Sequence, residues 1–172
     1  MTSKRLRTYL FSFFAFTLLV TTQSCYTFGG VTLDSRVKTV QVDFFPNNAP
    51  LIEPTLSQAF TLALQDIFIS QTNLDMVKSG GDIHFEGEIV GYRINPMTAT
   101  AEQTAAQNRL TVTVNVRYFN KYEEDKNFEQ RFTHYHDYDG NAQLVGSVLQ
   151  DAFADILERI TQDIFNASVA NW

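Results

Sequence analysis

Residues 109–120 read RLTVTVNVRYFN, and their alternation decides the fold. Leu110, Val112, Val114, Val116 and Tyr118 share one parity, and Arg109, Thr111, Thr113, Asn115 and Arg117 share the other. Successive side chains on a pleated strand point to opposite faces. The segment is therefore a strand with one face for a core and one for water. Its neighbours extend the pattern. Residues 82–95 carry Ile83, Phe85 and Ile89 in alternation, then Val90, Tyr92 and Ile94 in the other phase. The change falls near Gly91 and predicts a bulge. In 128–136, Phe128 and Phe132 are in phase. KYEEDKN at 121–127 reads as a polar hairpin turn, and PMTATAEQTAAQN at 96–108 as a longer loop of small residues, expected to be mobile.

Further upstream, 37–45 reads as a first strand, with Val40, Val42 and Phe44 alternating with Thr39, Gln41 and Asp43. PNNAP at 46–50 is a loop. A helix begins near Pro54, and Thr55 with Gln58 has the spacing of a capping box. Leu56, Phe60, Leu64, Ile67 and Phe68 follow the 3.6-residue period, with Asn73 as terminator. Leu74–Val77 is a candidate small strand, and SGGD at 79–82 a turn. A long amphipathic helix over about 143–169 ends the chain; its apolar face includes Phe153, Ile156, Leu157, Ile160 and Ile164. The predicted fold class is α+β: a mixed, mostly antiparallel sheet of about four strands, two helices packed on one face, and a polar face opposite.

The chain has 172 residues, a net charge of −6 and one cysteine. Its length suits one domain, placed at 37–172. One cysteine excludes an internal disulfide, a Cys-rich zinc site and a CxxC redox pair. Net acidity argues against nucleic acid as a partner, because phosphate neutralisation needs clustered Lys and Arg. An apolar content of 44% and fifteen Phe argue against disorder.

Residues 1–24 read as a secretion signal: Lys4, Arg5 and Arg7, then the apolar run YLFSFFAFTLLV at 9–20. As a helix that run reaches roughly 18 Å, short of a hydrocarbon core about 30 Å thick. Cys25 follows small Ser24 and resembles the lipobox cysteine of bacterial lipoproteins, with Thr22 and Gln23 in place of that motif's usual residues. The resemblance implies a diacylglycerol thioether on Cys25 and acylation of the new amino terminus; the alternative is a secreted protein with Cys25 as a free thiol. Residues 25–36 would then be a lipidated tether. Cleavage would leave ten basic against nineteen acidic residues, about −9, with no polybasic patch for anionic headgroups.

Several clusters are candidates for chemistry. Alternate residues share a strand face, so His134 and His136 can approach one metal ion. No Glu or Cys at a suitable spacing completes the set, and a polar strand end is the favoured reading. Isolated His84 is read the same way. Glu86 and Glu88 face Arg109, Arg117, Glu129 and Arg131 across the sheet, which favours a solvated charge ladder over an acid/base pair. No phosphate loop, GxSxG, HExxH or GxGxxG occurs. The chain reads as a non-enzyme without cofactor or metal. Arg93, Arg109, Arg117 and Arg131, with the neighbouring threonines, are candidates to meet lipid phosphates or sugars, although a solvated sheet surface is the favoured reading.

The lipobox, then strand, helix, three strands and a terminal helix, together resemble the LptE family of lipopolysaccharide-assembly lipoproteins. The resemblance covers essentially all of 25–172. It is carried by VDFFPNNAPLIEPTLSQAFTLAL at 42–64, GDIHFEGEIVGY at 81–92, NRLTVTVNVRYFN at 108–120, NFEQRF at 127–132 and DIFNASVANW at 163–172. It implies a periplasmic body anchored by Cys25 to the inner leaflet of the outer membrane. That body would plug and help assemble an LptD-type β-barrel and contact lipopolysaccharide, with Arg93, Arg109, Arg117 and Arg131 as candidate contacts chosen from strand geometry. At −9, a plug held by shape and hydrogen bonding is favoured over strong intrinsic lipopolysaccharide binding. The alternative is a stand-alone periplasmic lipoprotein that binds a glycan or small ligand on its polar sheet face.

Overall fold

The computed structural model describes residues 33–97 and 106–169. The signal, Cys25, most of the tether and the centre of the 96–108 loop lie outside the described residues. The elements are β1 (Thr39–Val42), α1 (Leu56–Gln71), β2 (Asp75–Val77), β3 (Ile83–Met97), β4 (Gln107–Asn120), β5 (Phe128–Asp139) and α2 (Gly146–Val169), with a 3₁₀ turn at Glu124–Lys126. One five-stranded sheet has the order β2-β1-β3-β4-β5. β1 runs parallel to both neighbours, and β3, β4 and β5 are antiparallel. The candidate strand at 74–77 is real, so the sheet has five strands.

The parity of β4 is as expected: Leu110, Val112, Val114, Val116 and Tyr118 are fully buried beneath the helices. The bulge is present too. Ile89 pairs with Val114 and Gly91 with Thr113, which leaves Val90 as the extra residue. After it, Tyr92 takes over the core-facing role. Leu56, Phe60, Leu64 and Phe68 bury one edge of α1, while Ile156, Ile160 and Ile164 do the same for α2. Aromatic rings bridge the layers. Phe68 lies 5.4 Å from Phe165 and 4.7 Å from Phe85; Phe85 in turn contacts Tyr118 at 5.0 Å, and Tyr118 contacts Phe128 at 5.3 Å. Such pairs contribute about 1 kcal/mol each beyond their buried area.

Two local expectations fail. The capping box does not form: Thr55 is in the helical region and makes no side-chain cap bond. Its hydroxyl donates instead to Glu53 Oε1 at 2.8 Å, and its N–H approaches the same oxygen at 3.2 Å. The regular part of the first strand is also shorter than 37–45. After Val42 the chain leaves the ladder but keeps touching β3, with Asn48 N–H donating to Ile89 O at 2.8 Å. Phe45 still reaches the core, edge-on to Phe60 at 5.0 Å.

Candidate functional site: the open face of the sheet

Both helices cover one side of the sheet, so the odd-numbered residues of β4 form an open polar face. Antiparallel register arranges it in rows: Glu86–Arg117–Glu129, Glu88–Asn115–Arg131, Gly91–Thr113–Thr133, Arg93–Thr111–Tyr135 and Asn95–Arg109–Asp137. The four candidate arginines share this face but differ in state.

Arg117 and Arg109 are engaged. The Arg117 Nε donates to Glu86 at 2.8 Å, and its Nη1 lies 3.2 Å from Glu88 and 3.9 Å from Glu129. Asn115 ties Glu88 and Glu129 together through its Nδ2, at 2.9 and 2.8 Å. This is part of the charge ladder expected from sequence; Arg109 and Arg131, also expected in it, do not join it. Arg109 grips Asp137 with two parallel bonds of 2.7 Å and stacks 3.6 Å over the Tyr135 ring. That bond from Arg109 is the main reason the Asp137 carboxyl sits below the ordinary carboxylate range.

Arg93 and Arg131 are different. Both are exposed, and among the described residues neither side chain has a hydrogen-bond or ion-pair partner. They flank a groove of about 470 Å³ lined by Val90, Gly91, Thr111, Thr113 and Thr133. The Thr113 and Thr133 hydroxyls touch at 3.0 Å on its floor. The bulge shapes this floor: a Cβ on Gly91 would come within 3.0 Å of Thr113 Cβ.

The histidines fall elsewhere. His134 and His136 lie in phase with Phe128 and Phe132, hence on the helix side of β5. Each takes its own aspartate from α2: His134 Nε2 meets Asp163 at 2.6 Å and His136 Nδ1 meets Asp155 at 2.9 Å. His84, read from sequence as isolated, is not. Its Nε2 lies 2.9 Å from Asp43 Oδ2 and 3.2 Å from Gln41 Nε2. Burial raises the Asp43 carboxyl, but the bonds from Gln41 and His84 outweigh it and leave the group below its ordinary value. The parallel β1–β3 pairing that creates this cluster leaves no mark on local sequence.

A buried nucleophile with a base beside it does not occur among the described residues. The open face offers hydrogen-bond donors, guanidinium groups and a groove floored by threonines, which is equipment for binding.

Comparison with known proteins agrees. Among curated protein sequences none matches the chain. Solved structures share its fold, among them these two. The CT253 protein of Chlamydia trachomatis is 11% identical, with a TM-score of 0.51, over 78% of this chain and 99% of that one. Protein XCC0632 of Xanthomonas campestris is 11% identical, with a TM-score of 0.50, over 81% and 90%. The sequence model of the LptE lipopolysaccharide-assembly family matches residues 37–168, which is nearly all of the packed body. The chain belongs to the LptE family, the non-enzymatic outer-membrane lipoproteins that act on the periplasmic face to plug and help assemble an LptD-type β-barrel for lipopolysaccharide transport.

Proposed function

We propose that the body formed by residues 37–172 is held at the outer membrane by lipid on Cys25, and that it meets lipopolysaccharide in the groove between Arg93 and Arg131. The observation that carries the groove is the contrast among the four arginines. Arg109 and Arg117 spend their donors on Asp137 and on Glu86 and Glu88. Arg93 and Arg131 keep theirs, across a floor of threonine hydroxyls.

Guanidinium groups bind phosphate with charge-assisted hydrogen bonds, each contributing about 2 kcal/mol net. Threonine hydroxyls suit sugar hydroxyls, since they donate and accept. Two cations on one small patch make contact with an anionic headgroup compatible with an acidic body, because long-range repulsion is screened beyond about 8 Å at physiological salt. Tyr135, in the row of Arg93 and Thr111, carries the Arg109 guanidinium of the next row stacked on its ring. The acyl chains on Cys25 supply the attachment; several chains hold stably where one is marginal.

The test of the groove is lipopolysaccharide capture by the purified full-length lipoprotein in detergent. Replacing both Arg93 and Arg131 with Ala lowers affinity at least about tenfold. Arg159→Ala, on the exposed side of α2, leaves it unchanged. Equal capture by the double variant contradicts the assignment. For the anchor, intact mass of the membrane-extracted chain shows acyl additions beginning at residue 25, and Cys25→Ala releases the protein into the periplasm.

A further inference from the structure

At the acidic end of the open face, side chains from two parallel strands converge in a way lipopolysaccharide handling does not use. The β1–β3 register sets Gln41 opposite His84, and Asp43 N–H donates to Phe85 O at 2.9 Å. The same register carries Asp43 on beside Glu86, in line with Arg117 and Glu129, with His84 one row back. One ligating atom from each of Asp43, His84 and Glu86 lies within 4.8 Å of the other two.

Each carboxylate has one oxygen held by an outer donor. Asp43 Oδ1 accepts from Gln41 Nε2 at 2.7 Å, and Glu86 Oε1 accepts from Arg117 Nε at 2.8 Å. Asp43 Oδ2 faces His84, and the bond Glu86 accepts among the described residues falls on Oε1, not Oε2. Gln41 is itself oriented by Gly81 N–H on its Oε1 at 3.4 Å. Outer bonds of this kind fix the ligands of metal centres.

The polarity at His84 Nε2 points the same way. Its neighbours are a carboxylate oxygen at 2.9 Å and an amide nitrogen at 3.2 Å. A protonated Nε2 satisfies Asp43 and opposes the Gln41 donor; an unprotonated one satisfies Gln41 and opposes the carboxylate. A cation shared by the Nε2 lone pair and Asp43 Oδ2 removes the opposition between nitrogen and carboxylate, while the Gln41 amide keeps its bond to Asp43 Oδ1.

We propose that Asp43, His84 and Glu86 form a surface site for one divalent transition-metal ion of the zinc type. An imidazole nitrogen with two carboxylates matches such ions, whereas calcium and magnesium take oxygen sets. Ligand atoms on a tetrahedral zinc are about 3.3 Å apart, so the His84–Asp43 gap widens slightly and Glu86 closes in. The fourth position would face water on the open side of the sheet. A bound ion would also lock β1 to β3 at their shared end. This reading stands independently of the lipopolysaccharide groove, several rows away.

The test is calorimetric titration of ZnCl₂ into the full-length lipoprotein in detergent, after chelator treatment and at neutral pH. One zinc per chain is expected, with a rise in melting temperature. His84→Ala and Glu86→Gln each weaken binding at least about tenfold, and CaCl₂ gives no comparable signal. Glu86→Gln keeps an acceptor for Arg117, so it reads the ligand even if His84→Ala loosens the strand. The double variant His134→Ala, His136→Ala keeps the site. The proposal is overturned if the wild type binds no zinc, if His84→Ala and Glu86→Gln bind it as the wild type does, or if binding follows His134 and His136 instead.

Discussion

His134 Nε2 lies 2.6 Å from Asp163 Oδ2, a contact that joins the edge strand β5 to the terminal helix α2. About two turns of α2 earlier, His136 repeats it on Asp155, which also receives Arg159 Nε at 2.9 Å. A 12-residue edge strand is exposed to mispairing, and tying its side chains to a packed helix keeps it in place. These pairs are partly solvated, so each contributes modestly. His134→Ala combined with His136→Ala is expected to lower stability by about 1–2 kcal/mol. Urea denaturation checks this, with the slope unchanged.

Acid should undo the same framework. The carboxyls of Asp155, Asp137 and Asp82 are all held below their ordinary value of 3.8, chiefly by bonds from His136, from Arg109 and from the Lys38 backbone N–H respectively. A group depressed on folding contributes stability that is fully present above its unfolded value and lost as pH falls through the lower folded one. Melting temperature is therefore expected to lose these contributions progressively below about pH 4–5 as the carboxyls protonate. Asp155→Asn should make that acid limb shallower. Thermal melts across the acid range read both.

Gly87 is the position in β3 where no side chain fits. A Cβ there would stand 2.1 Å from Asn115 O and 2.7 Å from the Phe45 ring. The ring can turn, but the carbonyl belongs to the β4 ladder. Gly87→Ala should cost about 3 kcal/mol, at the upper end of overpacking penalties. Chemical denaturation measures it; a loss under about 0.5 kcal/mol would mean the strands separate more easily than a packed core allows.

Asp82 fastens the first strand. Its Oδ2 accepts from Lys38 N–H at 3.0 Å, Thr39 N–H at 3.2 Å and the Thr39 hydroxyl at 3.0 Å, while Tyr122 reaches its Oδ1 at 3.2 Å. Asp82→Ala leaves two backbone donors to solvent at the mouth of β1 and should cost about 2 kcal/mol. Hydrogen exchange should show faster opening at Lys38 and Thr39 than in β4.

The antiparallel half of this fold was legible because its signals are local. RLTVTVNVRYFN carries its own period, and the phase change at Gly91 marks the bulge. The ladder of Glu86, Arg117 and Glu129 follows once two strands are paired. The in-phase placement of His134 and His136 with Phe132 also put them on the helix side, although that parity was read only as a shared strand face. In the parallel half the strands at 37–45 and 74–77 were legible as segments, but their pairing was not. Gln41 and Asp43 meet His84 through a pairing more than forty residues apart in sequence, joined across α1 and β2. The split among the arginines was hidden for a related reason. Arg93 and Arg131 look like Arg109 and Arg117 in sequence, and only the full register shows which carboxylates each can reach. The capping box failed because Glu53, outside the motif, takes the Thr55 hydroxyl.

The plug role is tested most directly by purifying the affinity-tagged lipoprotein from detergent-extracted outer membranes of its own cells and identifying what comes with it. A large LptD-type β-barrel is expected in equal amount, and barrel maturation should fail when this chain is depleted. Recovery of the lipoprotein alone, with the barrel assembled normally in its absence, would contradict the account.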